Sequence, residues 1–257
     1  MQKKLILITN DDGIFSPGIL ALAEELQTIA DIIVVAPNKQ QSAVGHAITI
    51  TTAIHKQEVE LSNKIKGIAV DGTPADCVKL AVRTILPKKP DLIVSGINHG
   101  HNTAVSIMYS GTVSAATEGV ILEIPSIAIS VTTFEDTDFL PAAVIAKKVS
   151  EIVLQKSLPE GMLLNINVPA IPLNEIKGIE ITHQGKSVWD DFFEKRLDSE
   201  GKEYFWLKGN LNIKDKNIDS DQGAILNNYV SITPIQFDLT DYKRIDLIKE
   251  MGFNKIL

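Results

Sequence analysis

Short, unbroken runs of Ile, Val and Leu, each followed by a stretch with helical spacing, constrain this chain more than any other feature. Lys4–Thr9 reads KLILIT, Asp31–Ala36 DIIVVA, Asp91–Ser95 DLIVS, Ser126–Val131 SIAISV and Met162–Val168 MLLNINV. A strand that is apolar at nearly every position has both faces buried, the condition of a parallel sheet covered by helices on either side. Helical spacing over Pro17–Ile29, Pro74–Leu86, Gly111–Leu122 and about Pro141–Gln155 separates these runs. The alternation predicts an α/β protein with a Rossmann-like parallel-sheet core. Ala47–Ile54 (AITITTAI) alternates instead, and predicts a half-exposed strand.

The pattern changes after residue 177. Of the 14 aromatic residues, six lie between Trp189 and Trp206, and only Phe15 and Tyr109 precede residue 131. Gly178–Trp206 mixes polar and aromatic residues around Asp198-Ser199-Glu200-Gly201-Lys202, a good reverse-turn sequence, and predicts a long β-hairpin. Exposed aromatics on such an arm need a partner surface. The expected organisation is therefore a Rossmann-like α/β core over residues 1–177 and an oligomerisation extension over 178–257. The extension ends in an amphipathic helix at Asp241–Met251, and exchange of the arm between copies of the chain would make a homo-oligomer.

Charge and cysteine content narrow the function. Lys plus Arg is 25 against 32 for Asp plus Glu, a net charge of -7, so a general nucleic-acid binder is excluded. A small phosphorylated ligand stays open, because a metal supplies positive charge locally. No run of 18 uncharged apolar residues occurs, so neither a transmembrane helix nor a membrane partner is expected. The apolar run after Met1-Gln2-Lys3-Lys4 is short and meets Asn10-Asp11-Asp12, which reads as a strand of a cytoplasmic protein. The one cysteine, Cys77, excludes a disulfide framework within the chain and a Cys-rich zinc site; its apolar flanks predict a small core residue. There is no G-x-x-x-x-G-K-[ST] loop and no G-x-G-x-x-G after a strand.

In open parallel sheets ligands bind outside the carboxyl ends of the strands. The first such loop is Thr9-Asn10-Asp11-Asp12-Gly13, whose adjacent acids fit either a divalent cation or a solvated turn. The second, Ala36 to His46, carries Ser42; the third, Gly96 to Asn102, carries Asn98, Asn102, His99 and His101. Carboxylates, a hydroxyl and an amide are oxygen donors, which suit Mg²⁺ or Mn²⁺ better than zinc. Tyr109-Ser110-Gly111-Thr112 opens a helix, and reads as an anion site or as an ordinary cap by Ser110. A metal beside a phosphate cradle is equipment for phosphoryl hydrolysis. A receiver-like signalling domain shares the acidic pair, but requires a phosphoacceptor Asp after its third core strand and a Lys after its fifth. Here the third loop presents Asn98, and no Lys directly follows Val131.

Together, Ile8-Thr9-Asn10-Asp11-Asp12-Gly13, Ala36-Pro37 with Gln41-Ser42, Asp71-Gly72-Thr73-Pro74, Ser95-Gly96-Ile97-Asn98-His99-Gly100, Tyr109-Ser110-Gly111-Thr112-Val113, Asn165-Ile166-Asn167-Val168-Pro169 and Tyr229-Val230-Ser231-Ile232-Thr233-Pro234 resemble the SurE family of survival-protein nucleotidases. The resemblance runs in order over nearly the whole chain. It implies a divalent-metal-dependent phosphatase acting on nucleoside 5′- and 3′-monophosphates, with one Mg²⁺ or Mn²⁺ per subunit. By motif position the metal ligands are Asp11, Asp12, Ser42 and Asn98, and Asp11 and Asp12 are also the catalytic pair. Asn10, Asn102, Ser110, Gly111 and Thr112 are the expected phosphate or substrate contacts. Many members follow the second Asn with Leu-Gly-Asp-Asp, whereas Thr103-Ala104-Val105-Ser106 follows Asn102 here, leaving the far side of the pocket less acidic.

Overall fold

The computed structural model describes residues 3–62, 65–253 and 256. In chain order the elements are β1 (Leu5–Thr9), α1 (Pro17–Leu26), β2 (Asp31–Pro37), β3 (Lys56–Ser62), β4 (Ile65–Val70), α2 (Pro74–Leu80), β5 (Leu92–His99), α3 (Gly111–Ile121), β6 (Ser126–Val131) and α4 (Leu140–Lys156). There follow β7 (Met162–Val168), β8 (Gly178–Ile181), β9 (Val188–Leu197), β10 (Glu203–Asn212), α5 (Asp221–Leu226), β11 (Tyr229–Gln236) and α6 (Ile245–Glu250). Nine strands form one sheet in the order β3-β4-β2-β1-β5-β6-β7-β11-β8. Its centre, β4 through β7, is parallel; β3 and β11 pair antiparallel to their inner neighbours, and β8 runs parallel to β11.

The all-apolar strands are buried as their composition requires. In β1, Ile6 and Ile8 pack with Ile19 and Leu22 of α1 and Ala143 of α4. Leu7 points the other way, to Cys77 and Val78 of α2 and Ala115 of α3. One strand thus feeds two cores because successive side chains alternate across the sheet. Cys77 is fully buried and its thiol pKa is pushed far up by burial, so it is a core residue as its flanks predict.

Four expectations change. Ala47–Ile54 forms no strand: the start of α2 captures it, Asp76 accepting from the Thr49 amide and hydroxyl (2.9 and 2.6 Å) and the Thr73 hydroxyl donating to the Ala47 carbonyl (2.7 Å). The strand lies just beyond, as β3, whose charged sequence KQEVELS is typical of a protected sheet edge. The helix expected over Pro74–Leu86 is α-helical to Leu80 and continues as a π-turn over Ala81–Ile85. The hairpin is displaced: β8 joins the main sheet, and the projecting pair is β9–β10, in register from Val188↔Asn212 to Leu197↔Glu203. Its turn is the one expected, with the Asp198 carboxylate accepting from the Glu200 and Lys202 amides at 2.9 Å each. The C-terminal helix is shorter, a 3-10 turn over Tyr242–Arg244 leading into α6. Among the described residues no helix is long and apolar enough to cross a membrane.

Candidate active site

The chain reverses its direction of winding at β1, with β2 on one side and β5 on the other. Loops leaving β1 and β5 therefore diverge and open a crevice at the carboxyl ends of the strands. The loop after β2 closes over it through two backbone bonds, from the Gln41 amide to the Asp11 carbonyl (2.7 Å) and from the Ile14 amide to the Pro37 carbonyl (2.8 Å). The result is a cleft of about 1040 Å³ lined by Asp11, Asp12, Ser42, Asn98, Asn102 and Ser110. Stretches far apart in sequence, from the loop after β1 to the loop before α3, converge there. A patch of surface turns would not produce that convergence.

Asp11 is 6% exposed. The Thr112 hydroxyl donates to its Oδ1 at 2.5 Å, and Gly111 lies directly against it: a Cβ on Gly111 would come within 2.7 Å of the Asp11 Cβ. Burial raises the Asp11 pKa to about 6; the Thr112 bond opposes the rise and the Asp12 charge adds to it. Asp12 accepts from the His99 amide at Oδ2 (3.0 Å) and from the Gln40 side chain at Oδ1 (3.3 Å). Burial raises its pKa too, against the His99 amide bond. Asn98 stands on the last residues of β5 rather than in a free loop, because β5 bulges between Ser95 and Asn98. Gly96 makes the bulge: its φ is +140°, and a Cβ there would lie 2.3 Å from the Ile129 carbonyl oxygen. The Asn98 amide nitrogen donates to the Gly100 carbonyl (2.6 Å), so its Oδ1 is the atom left for a ligand.

Asn10, Gly111 and Thr112 do not line the cleft. Asn10 is fully buried and its amide braces its own loop, donating to the Gly13 carbonyl (2.9 Å) and the Ser16 hydroxyl (2.7 Å). Thr112 and Gly111 act on Asp11, the first by its hydrogen bond and the second by the space it leaves. Ser110 caps α3, accepting from the Val113 amide at 3.1 Å, and lines the cleft as well. His46 is drawn away to Glu118, at 3.0 Å, and Lys79 takes the other Glu118 oxygen at 2.6 Å.

Sequence reading missed the supports behind Asn102. Its backbone amide donates to the Asn167 side chain (2.8 Å) and its carbonyl accepts from the amides of Asn165 (2.8 Å) and Asn167 (3.0 Å). Its own amide donates to Ser130 at 2.9 Å. The asparagines of β7 were visible as a motif; a fully buried Asn in an apolar strand is the signal that they hold a loop. Asp221 gave no such signal. It is fully buried and accepts from the amides of Ala104 (2.7 Å), Gln222 (2.8 Å) and Gly185 (3.0 Å), fastening the wall after Asn102 to the root of the arm.

The donor set fits a hard divalent cation. Asp11 and Asp12 adjoin in the cleft, no lysine or arginine bonds either of them among the described residues, and the other candidate donors are oxygens. Among the described residues no group of three His, Cys, Asp or Glu side chains forms a metal cluster. The uncompensated charge has a thermodynamic signature. A carboxyl whose folded pKa is raised stabilises the fold fully below the unfolded value of 3.8, and that stability is lost as pH rises through about 6. For Asp11 the loss is about 3 kcal/mol. Thermal melts of metal-free protein should therefore show Asp11→Asn gaining several degrees relative to the unsubstituted chain between pH 4 and 7, a gap that Mn²⁺ narrows. An equal difference at both pH values contradicts an uncompensated buried charge.

A doubly wound sheet with a carboxylate pair, an amide oxygen and a helix start gathered at its switch point defines an α/β protein with its cleft at the carboxyl ends of the strands. Its lineage is specific. The sequence model of the family described as Survival protein SurE matches residues 6–191. Curated relatives include 5'-nucleotidase SurE of Flavobacterium psychrophilum, 44% identical over 257 residues, covering 99% of this chain and 100% of the relative. 5'-nucleotidase SurE of Flavobacterium johnsoniae is 45% identical, covering 98% of each chain. The crystal structure of the Sure protein from Aquifex aeolicus superposes with a TM-score of 0.83 at 42% identity, covering 96% of this chain and 99% of that one. This chain belongs to the SurE family.

Proposed function

We propose that the protein is a divalent-metal-dependent phosphomonoesterase that hydrolyses nucleoside 5′- and 3′-monophosphates to nucleoside and phosphate. The observation that carries this reading is the cleft in which the buried Asp11 and the half-buried Asp12 stand side by side with no lysine or arginine bonded to either among the described residues, Asp11 lying against the start of α3. Family membership, and the names of the Flavobacterium relatives, point to the same chemistry.

Asp11, Asp12, Ser42 and Asn98 would hold one Mg²⁺ or Mn²⁺ per chain. A divalent cation there supplies charge neutralisation and Lewis-acid polarisation of a phosphate oxygen. Ser110 and the positive end of α3 receive the phosphate and stabilise charge on its equatorial oxygens. Asn102, fixed by Asn165, Asn167 and Ser130, sets the other side of that cradle. Asp11 orients the attacking water and takes its proton, because Thr112 fixes one carboxylate oxygen and leaves Oδ2 for that task. The assay is phosphate release from a panel of nucleoside monophosphates with Mn²⁺, with and without chelator. Chelator-sensitive release is expected; no release from any nucleotide sinks the reading.

The extension over 178–257 is read as the assembly segment of a core over 1–177, anchored through β8 and β11 and reaching outward through β9–β10. Phe193, Phe205 and Trp206 on that arm are 69%, 56% and 56% exposed, an apolar display suited to a second copy. Light scattering should give at least twice the chain mass of 28.1 kDa, and a monomer contradicts this.

A further inference from the structure

The cleft extends well beyond what a phosphate and a cation need. Its volume of about 1040 Å³ is at the upper end of the roughly 300–1,000 Å³ usual for small-molecule sites. The extension is walled by aromatics from three separate segments: Tyr109 before α3, Phe134 after β6, and Trp189 and Phe192 at the root of the arm. Tyr109, Phe134 and Phe192 are more than half exposed, yet they line a concave site that also contains Asp11 and Ser110. Trp189 differs from the others in being fixed by a polar bond: its indole Nε1 donates to the Ser106 hydroxyl at 3.1 Å. Ser106 stands on the wall that Asp221 pins through Ala104, so the indole is referred to the same rigid frame that carries Asn102. A hydrogen-bonded indole offers a flat face in a set orientation, with little rotamer freedom left to lose on binding.

We infer that Trp189, oriented by Ser106, is the stacking platform for the nucleobase, so that the site selects phosphomonoesters carrying a flat aromatic base. This rests on the nucleotidase reading and adds to it a specificity-determining residue on the arm. Every nucleobase has a π-face, so the platform favours bases in general over base-free sugar phosphates.

The test uses the full-length protein with Mn²⁺ and compares kcat/KM for AMP and for ribose 5-phosphate, which lacks the base. Trp189→Leu should lower the AMP to ribose 5-phosphate ratio by roughly ten-fold, mainly through the KM for AMP. A ratio unchanged by the substitution, whether both substrates lose equally or neither does, overturns the inference. A binding measurement keeps the two readings separable. In a Trp206→Phe background Trp189 is the remaining indole, and adenosine, which carries no phosphate, should quench its fluorescence; Ser106→Ala should weaken that quench several-fold. Quenching with no hydrolysis of any nucleotide by the unsubstituted enzyme would remove the nucleotidase reading and leave the base platform standing. Hydrolysis without quenching would do the reverse.

Discussion

Asp11→Asn should lower phosphate release from AMP by at least about 10³-fold at saturating Mn²⁺, a loss of roughly 4 kcal/mol of transition-state stabilisation. The substitution keeps the shape of the side chain and an oxygen for the Thr112 hydroxyl, so the fold around Gly111 survives. It removes a charged donor from the cation site and the group assigned to the proton of water. Circular dichroism and a melt at pH 5, where Asp11 is largely protonated in the metal-free protein, separate a chemical loss from unfolding. A variant that releases phosphate within ten-fold of the unsubstituted rate removes Asp11 from the machinery.

Asp221→Ala should be the most damaging single change outside the cation site. Three backbone amides, of Ala104, Gly185 and Gln222, lose their acceptor inside a dry pocket. Each unsatisfied buried donor costs about 1–3 kcal/mol, so about 3 kcal/mol or more is expected in total. For a chain of this size that lowers the melting temperature by about 10 °C. Ala104 has a left-handed backbone (φ +47°), and without the carboxylate the wall from Thr103 to Ser106 relaxes. The KM for nucleotides should rise more than kcat falls. A melting temperature lowered by less than about 2 °C would mean that Asp221 does not hold that wall.

The central sheet was legible because its strands have no polar face. Five apolar runs could only be strands buried on both sides, and the loops at their carboxyl ends then had to share a crevice. The carboxylate pair, Ser42, Asn98 and Ser110 followed from those loops. What stayed hidden depends on contacts between distant segments. β3 carries charged residues because it is a sheet edge, so its pattern resembles a loop. Ala47–Ile54 has the alternation of a strand, but Asp76 and Thr73 offer its backbone a better set of partners. The arm begins ten residues later than its composition suggests, because Gly178–Ile181 finds a partner strand in β11. Asp221 reads in sequence as an ordinary first-turn acid behind the Ser220 cap; only its three donors, two of them distant in sequence, show it as a brace. Asn10 was read from its place beside two aspartates, and sequence did not show that its amide nitrogen braces its own loop behind the cleft.

The central claim is that oxygens of Asp11, Asp12, Ser42 and Asn98 form one cation site. Calorimetric titration of the metal-free protein with Mn²⁺ tests it most directly, run beside Asp12→Asn, whose carboxylate accepts from the His99 amide. One equivalent of Mn²⁺ per chain, with affinity lowered at least about 100-fold by the substitution, is the predicted result. Unchanged affinity in Asp12→Asn, or no binding by the unsubstituted chain, would contradict it.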